Sequence, residues 1–328
     1  LPTDMLTEIF SLIIGFIIIL VLAEIIIKNS LSIAKHYGIS GTFIGLTILS
    51  IGTSIPEIMT HIMGSVKILQ DPSLMNTLSG LLIGNNIGSD IFQQNLVLPV
   101  IAIVGTIIVI RKNLFIEMGG LIGAALLVWL FALGGVITQL EGWLLILAYL
   151  FYLLYLKRKK LHEKGVVATN NLSKKDIWLG ASLILISFVF MAFTAELVLD
   201  AATVIISSLS ISASFFGVIM LGVASALPEL TTSLMAVLKG KKDVSAGILI
   251  GSNITNPLFG IGVGAAISGY VIPNVVIWYD LPIKIATAGL IYYFLLTNEK
   301  LKKWESFILI GLFIGYIIVR QLYFPVDF

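Results

Sequence analysis

Polar positions along this chain are scarce and bunched. Between the bunches run apolar stretches of 17 or more residues, each long enough to cross a bilayer core as a helix. The pattern predicts ten such helices, at about 8–27, 39–69, 77–110, 114–133, 138–156, 177–199, 212–238, 243–272, 281–297 and 304–323. One long polar stretch, KRKKLHEKGVVATNNLSKKD at 157–176, divides them into a first half of five spans (1–156) and a second of five (177–328). The expected fold is an all-α integral membrane protein. Asp4 and Glu8 precede the first apolar run without a basic residue, unlike the positive flank of a cleaved signal peptide, so that run is expected to be a membrane helix.

Composition removes the soluble alternatives. The 328 residues are 58% hydrophobic and only 12% charged, against roughly 25% charged in an average soluble domain, and the mean hydropathy is +1.06. Zero cysteines rule out disulfide frameworks and thiol chemistry. A net charge of +2 makes no case for nucleic acid; in a membrane chain the position of each charge matters more than the sum. Lys and Arg concentrate in cytoplasmic loops. With the N-terminus outside, 17 of the 20 fall inside, leaving Lys67, Lys284 and Arg320 outside. The expected placement is therefore multi-pass in the cell membrane, with both termini extracellular and the central loop cytoplasmic. The tryptophans 129, 143, 178, 278 and 304 fall near span ends, where interfacial anchoring is expected.

The two halves repeat. An offset of 172 aligns 23–68 with 195–240 without a gap, giving thirteen identities in 46 positions, including Glu24/Glu196, Pro56/Pro228, Glu57/Glu229 and Lys67/Lys239. A second block, at an offset of 163, pairs Gly84, Ile87, Gly88, Ser89 and Ile91 with Gly247, Ile250, Gly251, Ser252 and Ile254. Equivalent points lie five spans apart, an odd number, so the halves are expected to insert with opposite orientation. Inverted repeats with interrupted helices build many secondary transporters, whose sites lie at the midplane.

The chemistry-bearing residues sit on that repeat. Glu57 and Glu229 each follow a proline deep inside an apolar span. A proline within a helix frees backbone carbonyls about one turn earlier, here near Ser50 to Thr53 and Gly222 to Ser225, and in lipid those oxygens need partners. Carboxylates, carbonyls and hydroxyls together are the ligand set of hard cations such as Ca2+ and Na+. An ionised carboxylate at the bilayer centre costs at least about 2.5 kcal/mol, so a symmetric pair implies a compensating cation. Spans three and eight add Ser89/Gln93 and Ser252/Asn256, each spaced i, i+4 and so on one helix face.

With these motifs the chain resembles the cation/calcium exchanger superfamily, closest to the prokaryotic sodium/calcium exchangers, over essentially its whole length. The signatures stand here as GTSIPE (52–57), SALPE (225–229), GSDIFQ (88–93) and GSNITN (251–256). The resemblance implies a secondary active antiporter exchanging Ca2+ for Na+ by alternating access, without a cofactor and as a functional monomer. It implies Glu57 and Glu229 as the main Ca2+ ligands. Thr53, Ser54, Ser89, Ser225 and Ser252 would add oxygens to flanking Na+ sites, with the backbone oxygens of Ser50 and Gly222. It further implies that spans one and six slide across a core of spans two, three, seven and eight.

The chain departs from that pattern at Ala224 and Ala226, which stand where the family usually has Gly and Ser, at Gln93 in place of Asn, and at Asn256 where Asp is frequent. With two carboxylates, one Ca2+ neutralises the site and three Na+ leave it at +1. A proton- or K+-coupled Ca2+ exchanger is therefore the alternative. Asp90 lies about 100° around the helix from Ser89 and reads as a hydrogen-bonded group or an entrance residue. His61 lies one turn beyond Glu57, but its repeat partner is Ser233, which argues against a proton relay. Gly311 and Gly315 form a GxxxG, a helix-packing pattern. No P-loop, EF-hand loop or HExxH motif occurs, so neither an ATP-driven pump nor a zinc enzyme is expected.

Overall fold

The computed structural model describes residues 3–37, 49–105, 111–160, 172–209, 211–238, 242–324 and 326–327. The first half holds α1 (Thr3–His36), α2 (Ser50–Thr53), α3 (Ile55–Gln70) and α4 (Met75–Phe92), which passes through a π-helical turn at Gln93–Val97 into α5 (Leu98–Gly105). Then come α6 (Arg111–Ala132) and α7 (Gln139–Lys160). The second half opens with α8 (Lys174–Leu209) and α9 (Ala213–Phe216), followed by a π-helical turn at Gly217–Leu221, α10 (Gly222–Ser225) and α11 (Leu227–Leu238). It continues with α12 (Lys242–Thr255), a π-helical turn at Asn256–Ile261, and α13 (Gly262–Ser268). After a π-helical turn at Val276–Asp280 it ends with α14 (Leu281–Asn298) and α15 (Lys303–Tyr323).

Among the described residues, nine stretches are long and apolar enough to cross a bilayer. The predicted span 39–69 is described only from residue 49, as Leu49, α2 and α3; residues 106–110 of span three and 161–171 of the linker also lie outside the described residues. Local signals set several starts. Ser173 and Asp176 exchange hydrogen bonds at the head of α8, at 3.1 and 3.2 Å, and Thr138 and Glu141 do the same at the head of α7, at 2.7 and 3.3 Å. Both are capping boxes that occupy otherwise orphaned N–H groups.

One prediction is corrected at its end. Span eight was expected to run to 272, but the helix stops at Ser268, where Gly269 takes φ 68° and turns the chain. Tyr270–Val271 then pairs antiparallel with Val136–Ile137, which follows Gly135 at φ 77°. Positive φ is cheap only for glycine, and these two glycines place a two-residue ladder among described residues that are mostly helical.

Burial separates core from rim. Over an 18-residue apolar stretch of each span, 78% is buried in α4–α5 and 89% in α12–α13, against 33% in α1 and α8 and 22% in α7 and α15. α1 and α8 lie antiparallel along one another, with Gly15 against Val198 and Gly180 against Asn29. Their outer faces expose Phe10, Ile14, Ile17, Phe190, Phe193 and Leu197. Apolar surface of that extent suits lipid, not water, and the chain is a multi-pass membrane protein.

Close backbone packing joins the two halves. A Cβ on Gly84 would lie 2.3 Å from the Ser214 carbonyl oxygen and one on Gly88 2.4 Å from Val218 Cα. From the other side, a Cβ on Gly217 would lie 2.4 Å from the Leu81 carbonyl oxygen and one on Gly222 2.7 Å from Ser89 N. Helix α4 thus meets α9–α10 backbone to backbone, as small residues allow in membranes. The GxxxG at Gly311 and Gly315 has no neighbour within 4 Å, so the packing pattern operates at 84–88 instead.

The charge tally also changes. Lys284 and Arg320, set among the three outer basic residues, are fully buried within the protein, paired with Asp90 and with Asp280. Only Lys67 then remains to oppose the 17; it bonds Asp200 at 2.6 Å and lies 3.6 Å from Glu196, which holds α3 to α8. Among the tryptophans, Trp129 donates to the Ile277 carbonyl at 2.8 Å, inside the last π-helical turn, whereas Trp143, Trp178, Trp278 and Trp304 are exposed.

Gly88→Val should lower the thermal-denaturation midpoint of the purified protein, by a destabilisation of about 1–3 kcal/mol from overpacking. Gly311→Val should stay within about 0.5 kcal/mol, because nothing crowds that position; equal shifts for the two variants would contradict the seam.

Candidate cation site

Two helix breaks of the same geometry build the centre. Ser54, between α2 and α3, has φ −83° and ψ 0°; Ala226, between α10 and α11, has φ −81° and ψ −1°. Ser54 N bonds the Ser50 carbonyl at 3.2 Å and Ala226 N the Gly222 carbonyl at 3.2 Å. The same carbonyls also accept from the Thr53 and Ser225 hydroxyls, each at 3.3 Å. Each break restarts as a helix through a proline, Pro56 or Pro228, in its first turn, where a missing N–H costs least. Glu57 and Glu229 thereby fall in the first turns of α3 and α11, where the helix dipole favours negative charge. Thr60 and Thr232, one turn on, donate to the Glu57 and Glu229 carbonyls at 2.8 and 3.4 Å.

Both glutamates are fully buried. The Ser89 hydroxyl donates to Glu57 Oε1 at 3.0 Å, and Gln93 Nε2 donates to Ser89 at 3.1 Å. Thr53 lies beside Glu229 and Ser225 beside Glu57, so each half sets a hydroxyl against the other half's acid. Neither hydroxyl reaches bonding geometry with its acid: Thr53 keeps to the Ser50 carbonyl, while Ser225 also donates to Asn85 Oδ1 at 3.0 Å. Among the described residues Glu57 Oε2, both Glu229 carboxyl oxygens, Ser54 Oγ and Asn256 Oδ1 are buried without a hydrogen-bond partner. Buried polar atoms are costly to leave unpaired; Asn86 Oδ1, Asn95 Oδ1, Ser233 Oγ and Ser245 Oγ are also without a partner, but carboxyl oxygens in this condition occur, among the described residues, only on Glu57 and Glu229.

The expected residues divide into two groups. Glu57, Glu229, Thr53, Ser89 and Ser225 converge, with the backbone of Ser50 and Gly222 one turn behind, and Ser54 is the residue at the break between α2 and α3. Gln93, Ser252 and Asn256 are engaged in a network flanking that centre. Ser252 Oγ donates to Gln93 Oε1 at 2.5 Å and Asn253 Nδ2 to the same oxygen at 3.1 Å, while Asn256 Nδ2 donates to Asp90 Oδ1 at 3.0 Å. Gln93 and Asn256 open the π-helical turns of α4–α5 and α12–α13, sites where π-turns often redirect functional side chains.

Several participants were missed from sequence. Lys284, on α14 outside the four expected core spans, forms a fully buried ion pair with Asp90. One turn further, Thr287 donates to Gln94 Oε1 at 3.2 Å, and Gln94 donates to Asn253 at 2.7 Å. The signal in the sequence is a lone lysine inside an apolar span. His61 belongs to a neighbouring network. Its Nδ1 lies 2.9 Å from Tyr270 Oη, its Nε2 lies 3.3 Å from Asn86 Nδ2, and the Ser65 hydroxyl lies 2.8 Å from the same tyrosine oxygen.

Paired carboxylates on interrupted helices, enclosed by hydroxyls and amides inside a lipid-facing shell, define an ion-transport protein of the membrane. The chain matches the sodium/calcium exchanger protein family over residues 7–157 and 179–321, and it belongs to that family of membrane antiporters. Sodium/calcium exchanger MaX1 of Methanosarcina acetivorans is 26% identical over 353 residues, covering 94% of this chain and 97% of that one. Inner membrane protein YrbG of Escherichia coli is 27% identical over 272 residues, covering 78% and 79%. The solved structure of the sodium-calcium exchanger NCX_Mj, soaked with 10 mM Na+ and zero Ca2+, superposes with a TM-score of 0.64 at 25% identity, covering 97% of this chain and 99% of that one.

Tyr270→Phe removes the oxygen shared by His61 and Ser65 and should destabilise the fold by about 1–3 kcal/mol, the cost of buried groups left unpaired. A thermal-denaturation midpoint equal to that of the wild type would show that the network contributes nothing.

Proposed function

We propose that the protein exchanges Ca2+ for Na+ by alternating access, with both ions competing for one midplane site. Glu57 and Glu229 supply the charge; Thr53, Ser54, Ser89, Ser225, Ser252, Gln93 and Asn256 supply side-chain oxygens, and Ser50 and Gly222 backbone oxygens. The observation that carries this reading is the set of buried carboxyl oxygens without a donor: three of the four on Glu57 and Glu229, with Ser54 Oγ and Asn256 Oδ1 in the same condition. A hard cation is the partner such oxygens fit. Among the described residues no three His, Asp or Glu side chains group as a metal site, so two carboxylates plus neutral oxygens suit a cation that must also leave.

The site sits within ten spans arranged as two inverted five-helix repeats, 1–156 and 177–328, joined by the basic linker 157–176. The equal dihedrals at Ser54 and Ala226, the paired 3.3 Å bonds to Ser50 and Gly222, and the π-turns at Gln93 and Asn256 all support that arrangement. The basic residues of the linker and the inner loops favour both termini outside. In the cycle α1 and α8, whose side chains contribute nothing to the cluster, slide across the core, and one chain suffices.

A K+-coupled variant has its own support: sodium/potassium/calcium exchanger 2 of Gallus gallus is 30% identical over 165 residues, 48% of this chain and 25% of that one.

Purified protein in liposomes should take up radioactive Ca2+ when Na+ is placed inside and diluted outside, without added K+. Glu57→Gln and Glu229→Gln should each lower that flux at least about tenfold, the effect of losing about 1.4 kcal/mol of ion binding. Flux that is indifferent to both substitutions would sink the site, and flux that appears only with K+ or a pH gradient would replace Na+ as the sole coupling ion.

A further inference from the structure

The Asp90–Lys284 pair stands against the carboxylate cluster without belonging to the oxygens proposed to hold ions. Asp90 is on α4, one residue beyond Ser89; Lys284 reaches it from α14, and both side chains are fully buried. Asn256 donates to the other Asp90 oxygen at 3.0 Å, so the aspartate is bonded on both sides, and Asn256 Oδ1 is left unpartnered. A second link fixes α14 to the same network, through Thr287, Gln94 and Asn253 to Gln93. The separate buried pair of Arg320 and Asp280 is joined by Tyr316 at 2.9 Å, and Arg320 also donates to Ser214 and to the Phe324 carbonyl at 2.6 Å and lies 3.8 Å from Asp327.

Charge arithmetic gives this arrangement a consequence. Three buried carboxylates interact: Asp90 is close enough to repel both Glu57 and Glu229, and Lys284 cancels its charge. Two charges then remain to be balanced by mobile ions. A net charge enclosed in a low-dielectric interior is costly, so the closed site is populated when its charges cancel. One Ca2+ cancels Glu57 and Glu229, and so do two Na+. A lysine side chain is a cation on a covalent tether, able to occupy a charge position but unable to be carried across.

We propose that Lys284 is a tethered counter-cation that takes the charge role of a third transported Na+ and makes the exchange electroneutral at two Na+ per Ca2+. The pair also orients Asn256: with its amide committed to Asp90, its carbonyl oxygen is the atom left for an ion. The inference rests on the Na+/Ca2+ reading above.

The test uses the full-length protein in liposomes, with radioactive Na+ and Ca2+ counted on one preparation and the membrane voltage imposed. For the wild type, a tenfold Na+ gradient should hold Ca2+ at about a 100-fold gradient, each tenfold step being one Na+, and voltage should not move that value. Lys284→Met leaves Asp90 to recruit a third Na+, so the ratio should rise to three, the limiting gradient toward about 1,000-fold, and transport should become voltage-dependent. Lys284→Met combined with Asp90→Asn should return both readings to the wild-type values. A wild-type ratio of three, or a Lys284→Met ratio still at two, overturns the role of Lys284 while leaving the exchanger intact. Should Lys284→Met fail to fold, the wild-type ratio and its voltage dependence decide: two without voltage dependence upholds the proposal, three with it overturns it. No Na+-driven Ca2+ flux in the wild type would instead overturn the Na+/Ca2+ reading.

Discussion

The constraint on which the rest of this structure depends is the placement of carboxylates where water cannot reach them. Glu57 and Glu229 are each fully buried in spans otherwise suited to lipid, and a charge in such a place must be met by other charges, by dipoles or by an ion. The breaks at Ser54 and Ala226 answer part of that demand by setting each acid in the first turn of a helix. The hydroxyl of Ser89 answers another part, and the oxygens left over define what else is wanted. Everything further out serves to hold these groups in register: the glycines that let α4 touch α9–α10, the π-turns that open at Gln93 and Asn256, and the amide network reaching α14.

Much of this was legible in the sequence because it was written twice. A proline followed by glutamate inside an apolar run is an oddity; two at one repeat offset are a pattern with a physical cause, and the structure returns the same dihedrals at both breaks. The span pattern was equally readable, since about twenty apolar residues have few other uses. What stayed hidden was whatever the repeat does not share. Lys284 has no role visible in local pattern, and a count of basic residues by loop assigned it to a membrane face because its neighbours in sequence lie at a span edge. Its partner Asp90 is distant in sequence, and only tertiary packing brings them together. The two-residue ladder was hidden for another reason: Tyr270 and Val271 are as apolar as the helix before them, and one glycine at positive φ ends it.

The departures from the family pattern acquire a common sense in three dimensions. Ala226 removes a hydroxyl opposite the one Ser54 provides, and Asn256 and Gln93 supply amides where smaller or acidic groups are frequent. Ala226 lowers the donor count and Asn256 the negative charge at the centre, while Gln93 keeps the amide and extends its reach. Asp90 adds negative charge beside the centre, and Lys284 takes it away. The site is thus shifted in composition, and the surrounding amides form a hydrogen-bonded network that reaches α14. Residues that look conservative one at a time, such as an amide lengthened by one methylene, become coupled because they bond one another.

The glycine seam sets the mechanics of the molecule. At Gly84, Gly88, Gly217 and Gly222, where α4 meets α9–α10, no side chain separates the two backbones, hence there are no rotamers to rearrange at those points. Translation along that line would drive carbonyl oxygens into Cα atoms after a small fraction of a helical turn. The two halves are therefore riveted at their middle, directly behind Ser89 and Ser225, and a displacement of one half against the other must pivot about this seam or leave it intact.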